Sequence, residues 1–148
     1  MISAQSSIVI ARPIDDVFQF ISVDFFSNYP KWSPEVIELE QLSDGPVGEG
    51  TLGRQVRKDQ GRRTESTFRV TRFEPNRCFC CEGTAQTPFR VIYDFASLEQ
   101  TTRISFTFEL LKIDFFMRPF EKLIEAAIRG GTNSTVHNLK GLLEEKTT

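Results

Sequence analysis

With 18 Lys and Arg against 20 Asp and Glu, the 148-residue chain has a net charge of −2, so no global basic field recruits nucleic acid. Its apolar content of 39% belongs to a folded protein with a substantial core, not a disordered one, and no apolar run approaches the roughly 18 residues of a membrane span. The length suits a single domain over residues 1–148, and no repeat or linker divides it.

The opening Met1-Ile2-Ser3-Ala4-Gln5 lacks the charged and apolar regions of a secretory signal. Three cysteines, two of them adjacent, make a poor disulfide framework and fit a reducing, cytoplasmic setting. The rings are the distinctive part of the composition: 14 Phe against 2 Tyr and 1 Trp. Phenyl rings bring apolar area without a hydroxyl to satisfy. They would either fill a core or line a cavity that favours an apolar or aromatic guest.

In chain order, residues 6–12 read as a first strand. Pro13 then opens a short helix, with Asp15 and Asp16 placed to favour its N-terminal dipole. A second helical piece is expected over residues 24–31, broken off by Pro30 and Pro34. Six strands follow, over residues 36–42, 51–58, 63–73, 78–83, 89–98 and 103–111. In the last hairpin Phe89, Val91, Tyr93 and Phe95 share one face, as do Ile104, Phe106, Phe108 and Leu110. The polar residues between them give the period of an antiparallel sheet covered on one side.

Residues 116–146 read as one long amphipathic helix, the element that would cover that sheet. Phe120, Leu123, Ile124, Ala127 and Ile128 form one stripe; Val136, Leu139, Leu142 and Leu143 form another. At about 100° per residue the two stripe centres differ by roughly 100°. A kink, bulge or local unwinding near Gly130-Gly131 is therefore expected, unless sheet twist absorbs part of the mismatch.

This order, with Asn28-Tyr29-Pro30-Lys31-Trp32-Ser33-Pro34 leading into a strand, resembles the SRPBCC superfamily of START-like and polyketide cyclase/dehydrase-like proteins. Ile14-Asp15-Asp16-Val17-Phe18, Val47-Gly48-Glu49-Gly50-Thr51 and Glu74-Pro75-Asn76-Arg77 support the resemblance along almost the whole chain. It implies an α+β helix-grip fold: a seven-stranded antiparallel curved sheet, in the order β-α-α-β-β-β-β-β-β-α, around a long C-terminal helix with a hydrophobic cavity between. The family has no universal catalytic residue, so the resemblance carries none over.

Other constellations are weaker. Cys78-Phe79-Cys80-Cys81 splits its thiols between two strand faces, which suits buried cysteines better than a metal site needing about four converging ligands. His137 is the chain's one histidine and its ordinary candidate for a near-neutral proton carrier, with Asp94, Glu109 or Tyr93 as conceivable partners. Residues 54–77 hold eight basic side chains against three acidic ones; they form either a solvated outer face or a surface for anionic headgroups and transient membrane contact. Trp32, with Tyr29 and Phe25-Phe26 before it, would wall a pocket entrance or plug a core. The run Val47-Gly48-Glu49-Gly50 lacks the ending of a phosphate loop and reads as a turn.

The leading expectation is a binding or carrier domain for a small hydrophobic molecule (lipid, polyketide or aromatic metabolite), with no metal or cofactor. Candidate walls are Phe25, Trp32, Phe68, Phe79, Tyr93, Phe106, Phe108, Ile124, Ile128 and Gly131; Arg54, if turned inward, would hold a carboxylate or enolate. One alternative is a metal-free enzyme of the polyketide cyclase/dehydrase type, in which Arg54, Tyr93 or His137 would manage protons and enolate charge. Another is a protein-interaction module like the chaperone-ATPase activators of the same superfamily, to which a filled cavity and an exposed apolar patch would point. Ligand identity and oligomeric state stay open.

Overall fold

The computed structural model describes residues 1–84 and 88–145. Strand β1 (Ile2–Ile10) leads through Pro13 into α1 (Ile14–Phe18), a π-helical turn (Gln19–Val23) and α2 (Phe25–Trp32). Strands β2 (Val36–Gln41), β3 (Leu52–Asp59), β4 (Arg62–Glu74), β5 (Cys78–Gly83), β6 (Phe89–Leu98) and β7 (Thr101–Leu110) follow. A 3₁₀ segment (Phe115–Phe120) then runs into α3 (Glu121–Glu145). The seven strands form one antiparallel sheet in the order β1-β7-β6-β5-β4-β3-β2. This is the helix-grip arrangement. Register shifts between Val36 and Glu38 and between Val70 and Arg72 interrupt the ladder, and such bulges bend and twist the strands that carry them.

Strand β1 starts four residues earlier than expected, at Ile2 instead of Ser6. Its early residues gain their pairing from the far end of the chain, with Ile2 opposite Leu110 and Ala4 opposite Phe108. No local pattern announces such a partner. The π-helical turn is a further departure from expectation. In it the Asp24 N–H donates to the Gln19 carbonyl at 3.0 Å, five residues back, and the buried Ser22 hydroxyl finds no hydrogen-bond partner among the described residues.

The core forms where the inward residues of the sheet meet the helices. Phe68, Val70, Phe79, Cys81, Tyr93, Phe95, Ile104 and Phe106 pack with Val17, Ile21, Phe25 and Trp32 from one side and Val136, Leu139 and Leu143 from α3. Each buried aliphatic side chain of this kind contributes roughly 1.5–3 kcal/mol. Polar ties hold the same half of α3 in place. Thr132 Oγ1 lies 2.8 Å from Ser6 Oγ, Asn138 donates to the Trp32 carbonyl at 3.0 Å, Lys140 donates to the Val9 carbonyl at 2.8 Å, and Glu144 accepts from the Ala11 N–H at 2.9 Å.

The expected break at Gly130-Gly131 does not occur: α3 is an unbroken α-helix. Thr132, Val136, Leu139 and Leu143 are buried, and at roughly 100° per residue Ile128 and Ile124 continue on that side. Phe120, Leu123 and Ala127 fall on roughly the opposite side, where Phe120 and Leu123 are 50% and 69% exposed. The chain resolves the mismatch by leaving one apolar stripe uncovered. The helix also starts later than expected, because Pro119 sits in the 3₁₀ segment ahead of it and suits the first turn of a helix better than its interior. Lys146, the expected last helical residue, lies outside the described residues.

Gly53 stands opposite Phe68 across the β3–β4 ladder, and a Cβ there would overlap the Phe68 ring. Gly53→Ala should therefore cost about 1–3 kcal/mol through overpacking, read from urea unfolding. Gly48→Ala, where a Cβ meets nothing within 4 Å, should stay within about 0.5 kcal/mol of the parent. Equal midpoints for the two variants would refute this packing account.

Candidate ligand-binding trough

The short helix α2 aims its rings by helical spacing. Phe25, Tyr29 and Trp32 recur every three or four residues and so share one face. Phe25 stacks on Tyr29 at 4.7 Å and 18°. From the sheet, strand alternation brings Phe68, Phe79, Tyr93 and Phe106 up to meet them. The result is a continuous ring cluster, with centroid separations of 5.3 Å for Phe25–Phe79, 5.8 Å for Phe79–Tyr93 and 4.8 Å for Tyr93–Phe106. Trp32 closes it against Tyr93 at 6.3 Å. Six of the expected wall residues thus come together, and they touch one another. They form a filled floor.

Beside this floor the inward face is not sealed. Phe89, Val91 and Phe108 pack against the core yet remain half-buried. Phe89 and Phe108 lie nearly parallel at 5.9 Å and 6°, and Phe26 and Phe68 do so at 6.0 Å and 14°. Gly83 makes room for the Phe89 ring, which a Cβ there would overlap. Ile124 and Ile128, on the sheet side of α3, are half-buried as well. The floor, these ring pairs and the first half of α3 make up the candidate trough. Two surface grooves, of about 420 and 330 Å³, lie elsewhere, the first against Arg12, Asp16 and Leu143, the second against Leu111, Lys112 and Arg118. None of the expected wall residues lines either groove.

Two polar features enter the cluster. The Trp32 Nε1–H donates to the Tyr93 hydroxyl over a long 3.4 Å. Burial pushes the Tyr93 phenol well above its ordinary range, so the group stays neutral and keeps its own proton. On the α2 side, the Tyr29 hydroxyl donates to Gln55 Oε1 at 3.0 Å and accepts from Arg57 Nη1 at 3.2 Å. Arg57 also donates to Ser33 Oγ at 3.2 Å and Asp59 Oδ1 at 3.2 Å. Burial raises the Tyr29 phenol despite the neighbouring guanidinium.

Two expected site residues sit elsewhere. Arg54 lies between Gly53 and Gln55, whose side of the strand faces Phe68 and Tyr29, so it projects from the opposite face. There it meets Glu65 at 2.7 Å, Glu38 at 3.4 Å and Glu40 at 3.6 Å. Gly131 is exposed on α3 and a Cβ there would meet nothing within 4 Å. His137 is also exposed, with Nδ1 2.8 Å from the Asn133 carbonyl. The basic character of residues 54–77 is largely neutralised by ion pairs at Arg54, Arg57, Arg63, Arg72 and Arg77. Cys78 and Cys80 share the outer strand face with sulfurs 3.3 Å apart, while Cys81 faces the core. Among the described residues no group of three or more His, Cys, Asp or Glu is placed to hold a metal ion.

Gln55, Arg57, Phe89 and Val91 border the candidate trough and were not among the expected wall residues, whereas Phe26 and Tyr29 were expected as part of the ring cluster around Trp32. Phe89 and Val91 were within reach, since they share the alternation of Tyr93. Gln55 and Arg57 were not, because β3 has no apolar alternation to mark its inner face.

A family model described as "Polyketide cyclase / dehydrase and lipid transport" matches residues 1–144. Among solved structures, the Zhui aromatase/cyclase from Streptomyces sp. R1128 aligns with a TM-score of 0.81 at 15% identity, over 99% of this chain and 95% of that one. A START superfamily protein from Mycobacterium smegmatis aligns at 0.75 and 15% identity, over 98% and 99%. A Polyketide_cyc-like protein from Corynebacterium glutamicum aligns at 0.64 and 27% identity, over 95% and 90%. Among curated proteins the chain finds no match.

The raised phenols fix a pH dependence. Unfolded tyrosine ionises near pH 10, so the stability carried by neutral Tyr29 and Tyr93 is complete below about pH 10. It is lost as the pH climbs from there through the folded-state values. Ultraviolet difference titration should find both phenols un-ionised in native protein at about pH 10 and roughly half-ionised once it is unfolded; normal titration with native circular dichroism would refute their burial. Burial also raises all three thiols, with Cys80 pushed up to about 12. At pH 8, Ellman's reagent should label none of them in native protein and all three in denaturant.

Proposed function

Since the chain belongs to the polyketide cyclase/dehydrase and lipid transport family, we propose that it binds a small hydrophobic, ring-bearing molecule in this trough, as a binding or carrier protein. One observation carries the reading: the neighbouring inward-facing residues Phe89, Val91 and Phe108 stay half-buried together, and Ile124 and Ile128 on the sheet side of α3 are half-buried as well. A guest lying against them would complete the burial that the protein leaves unfinished, at roughly 25 cal/mol per Å² of apolar surface. The two nearly parallel ring pairs favour a flat guest, since offset stacking suits phenyl faces. Tyr93 is only 2% exposed; its oxygen accepts from Trp32, and its own O–H would reach a carbonyl or hydroxyl on the guest only if the rings over it part.

Binding is favoured over chemistry because Arg54 and His137, two of the three groups considered for proton handling, are turned away from the trough, while the filled floor and the exposed Phe115, Phe116, Phe120 and Leu123 support an interaction role beside it. Tyr93 supports a second reading of the same pocket, in which a neutral buried phenol donates its proton to an enolate oxygen during cyclisation or dehydration.

Native mass spectrometry of freshly purified protein, followed by Trp32 emission titrations with a polycyclic apolar dye, tests the proposal. The parent should bind the dye. Val91→Trp should fill the trough and weaken binding at least about tenfold, near 1.4 kcal/mol, with the urea midpoint little changed. No co-purified ligand together with no dye binding, or dye affinity untouched by Val91→Trp, would sink it.

A further inference from the structure

The far side of α3 carries a second apolar stripe that the described residues leave uncovered. Phe120, Leu123, Ala127, Gly130 and Ser134 recur at alternating steps of three and four, the spacing of a helix–helix seam. Phe120 is 50% and Leu123 69% exposed, and just before them Phe115 and Phe116 are 79% and 84% exposed. A phenyl ring offers about 150–250 Å², so the three phenylalanines leave roughly 400 Å² of apolar surface in water. Successive residues of the 3₁₀ segment point about 120° apart, so these rings and the 41% exposed Met117 surround the start of α3, and Phe120 and Leu123 form the part that lies on the stripe. A stable interface takes about 800 Å² per partner, so the stripe would form its apolar centre and the polar residues flanking it on α3 its rim.

The order of sizes along the stripe selects the partner. Its large residues, Phe120 and Leu123, come first; its small ones, Ala127 and Gly130, come last. A Cβ at Gly130 would meet nothing within 4 Å, so the small end is an open notch. A parallel copy would set bulk on bulk and gap on gap. An antiparallel copy sets Phe120 over Gly130 and Leu123 over Ala127, and does so twice about one two-fold axis, as a closed isologous dimer requires. Small residues let such helices approach to about 8–10 Å. We propose that a second copy of this chain packs antiparallel on the outer stripe of α3, with the two-fold axis passing between Leu123 and Ala127.

The stripe faces away from the trough, so ligand binding and pairing can fail separately. Sedimentation velocity on the full chain from about 5 to 200 μM should show a species of twice the 16.9 kDa monomer. Leu123→Glu, at an exposed site, should abolish it without moving the urea midpoint. Gly130→Leu, which fills the notch, should also weaken it. Under mild oxidation, a mixture of Leu123→Cys and Ala127→Cys proteins should cross-link far better than either variant alone. A parent that stays monomeric at 200 μM, or a dimer that survives Leu123→Glu, overturns the proposal. So does a monomeric parent that co-sediments with phosphatidylcholine/phosphatidylglycerol vesicles through the same stripe, since the occupant would then be a membrane surface.

Discussion

Burying Val136, Leu139 and Leu143 over the aromatic face of the sheet is the contact that the remainder of the fold is arranged around. It joins the last turns of the chain to its first strand. The same half of α3 is tied to β1 and α2 through Ser6, Val9, Ala11 and Trp32. Once that half is seated, a straight helix has no freedom in where its other half points. Ile124 and Ile128 must lie toward the trough, and Phe120 and Leu123 must lie toward solvent. The exposed stripe and the unfinished trough thus have one origin: a single rigid rod pinned at one end.

What the residues reveal alone is the part governed by local period. The β6–β7 hairpin alternates cleanly, so its period by itself assigns Tyr93, Phe106 and Phe108 to the apolar face. The ring spacing of α2 likewise puts Phe25 and Trp32 together. Strand β3 is opaque for a physical reason. Its sequence Leu-Gly-Arg-Gln-Val-Arg-Lys mixes polar residues on both faces, so only the pairing of Gly53 with Phe68 shows that Arg54 points out and Arg57 points in. The start of β1 is opaque because its partner lies about a hundred residues away. Along α3 the conflicting stripes are legible, but their resolution is not. Unwinding a helix leaves backbone groups unpaired at a cost of about 1–3 kcal/mol each when buried, whereas an exposed Leu or Phe is tolerated far more readily and becomes available to a partner.

The polar chemistry around the trough is quiet. Two phenols held neutral by burial lie beside one guanidinium already engaged by Tyr29, Ser33 and Asp59. The outer face absorbs its own arginines in glutamate pairs. Exposed pairs of this kind are each worth only about 0–1 kcal/mol, so their main effect is to erase the local positive field. A guest bound as proposed would therefore be held chiefly by shape and apolar contact.

The one-sided anchoring of α3 makes it a cantilever. From Glu121 to Gly131 the free arm spans about 11 residues, roughly 16 Å at 1.5 Å per residue, beyond the first clamp at Thr132. A tilt of a few degrees at the clamp moves the far tip by about 1 Å, the scale on which a phenyl ring is admitted or refused. Thr132 and Ser6, the first of several ties at the root of that arm, would thus limit how far the roof can yield, although neither residue lies at the tip.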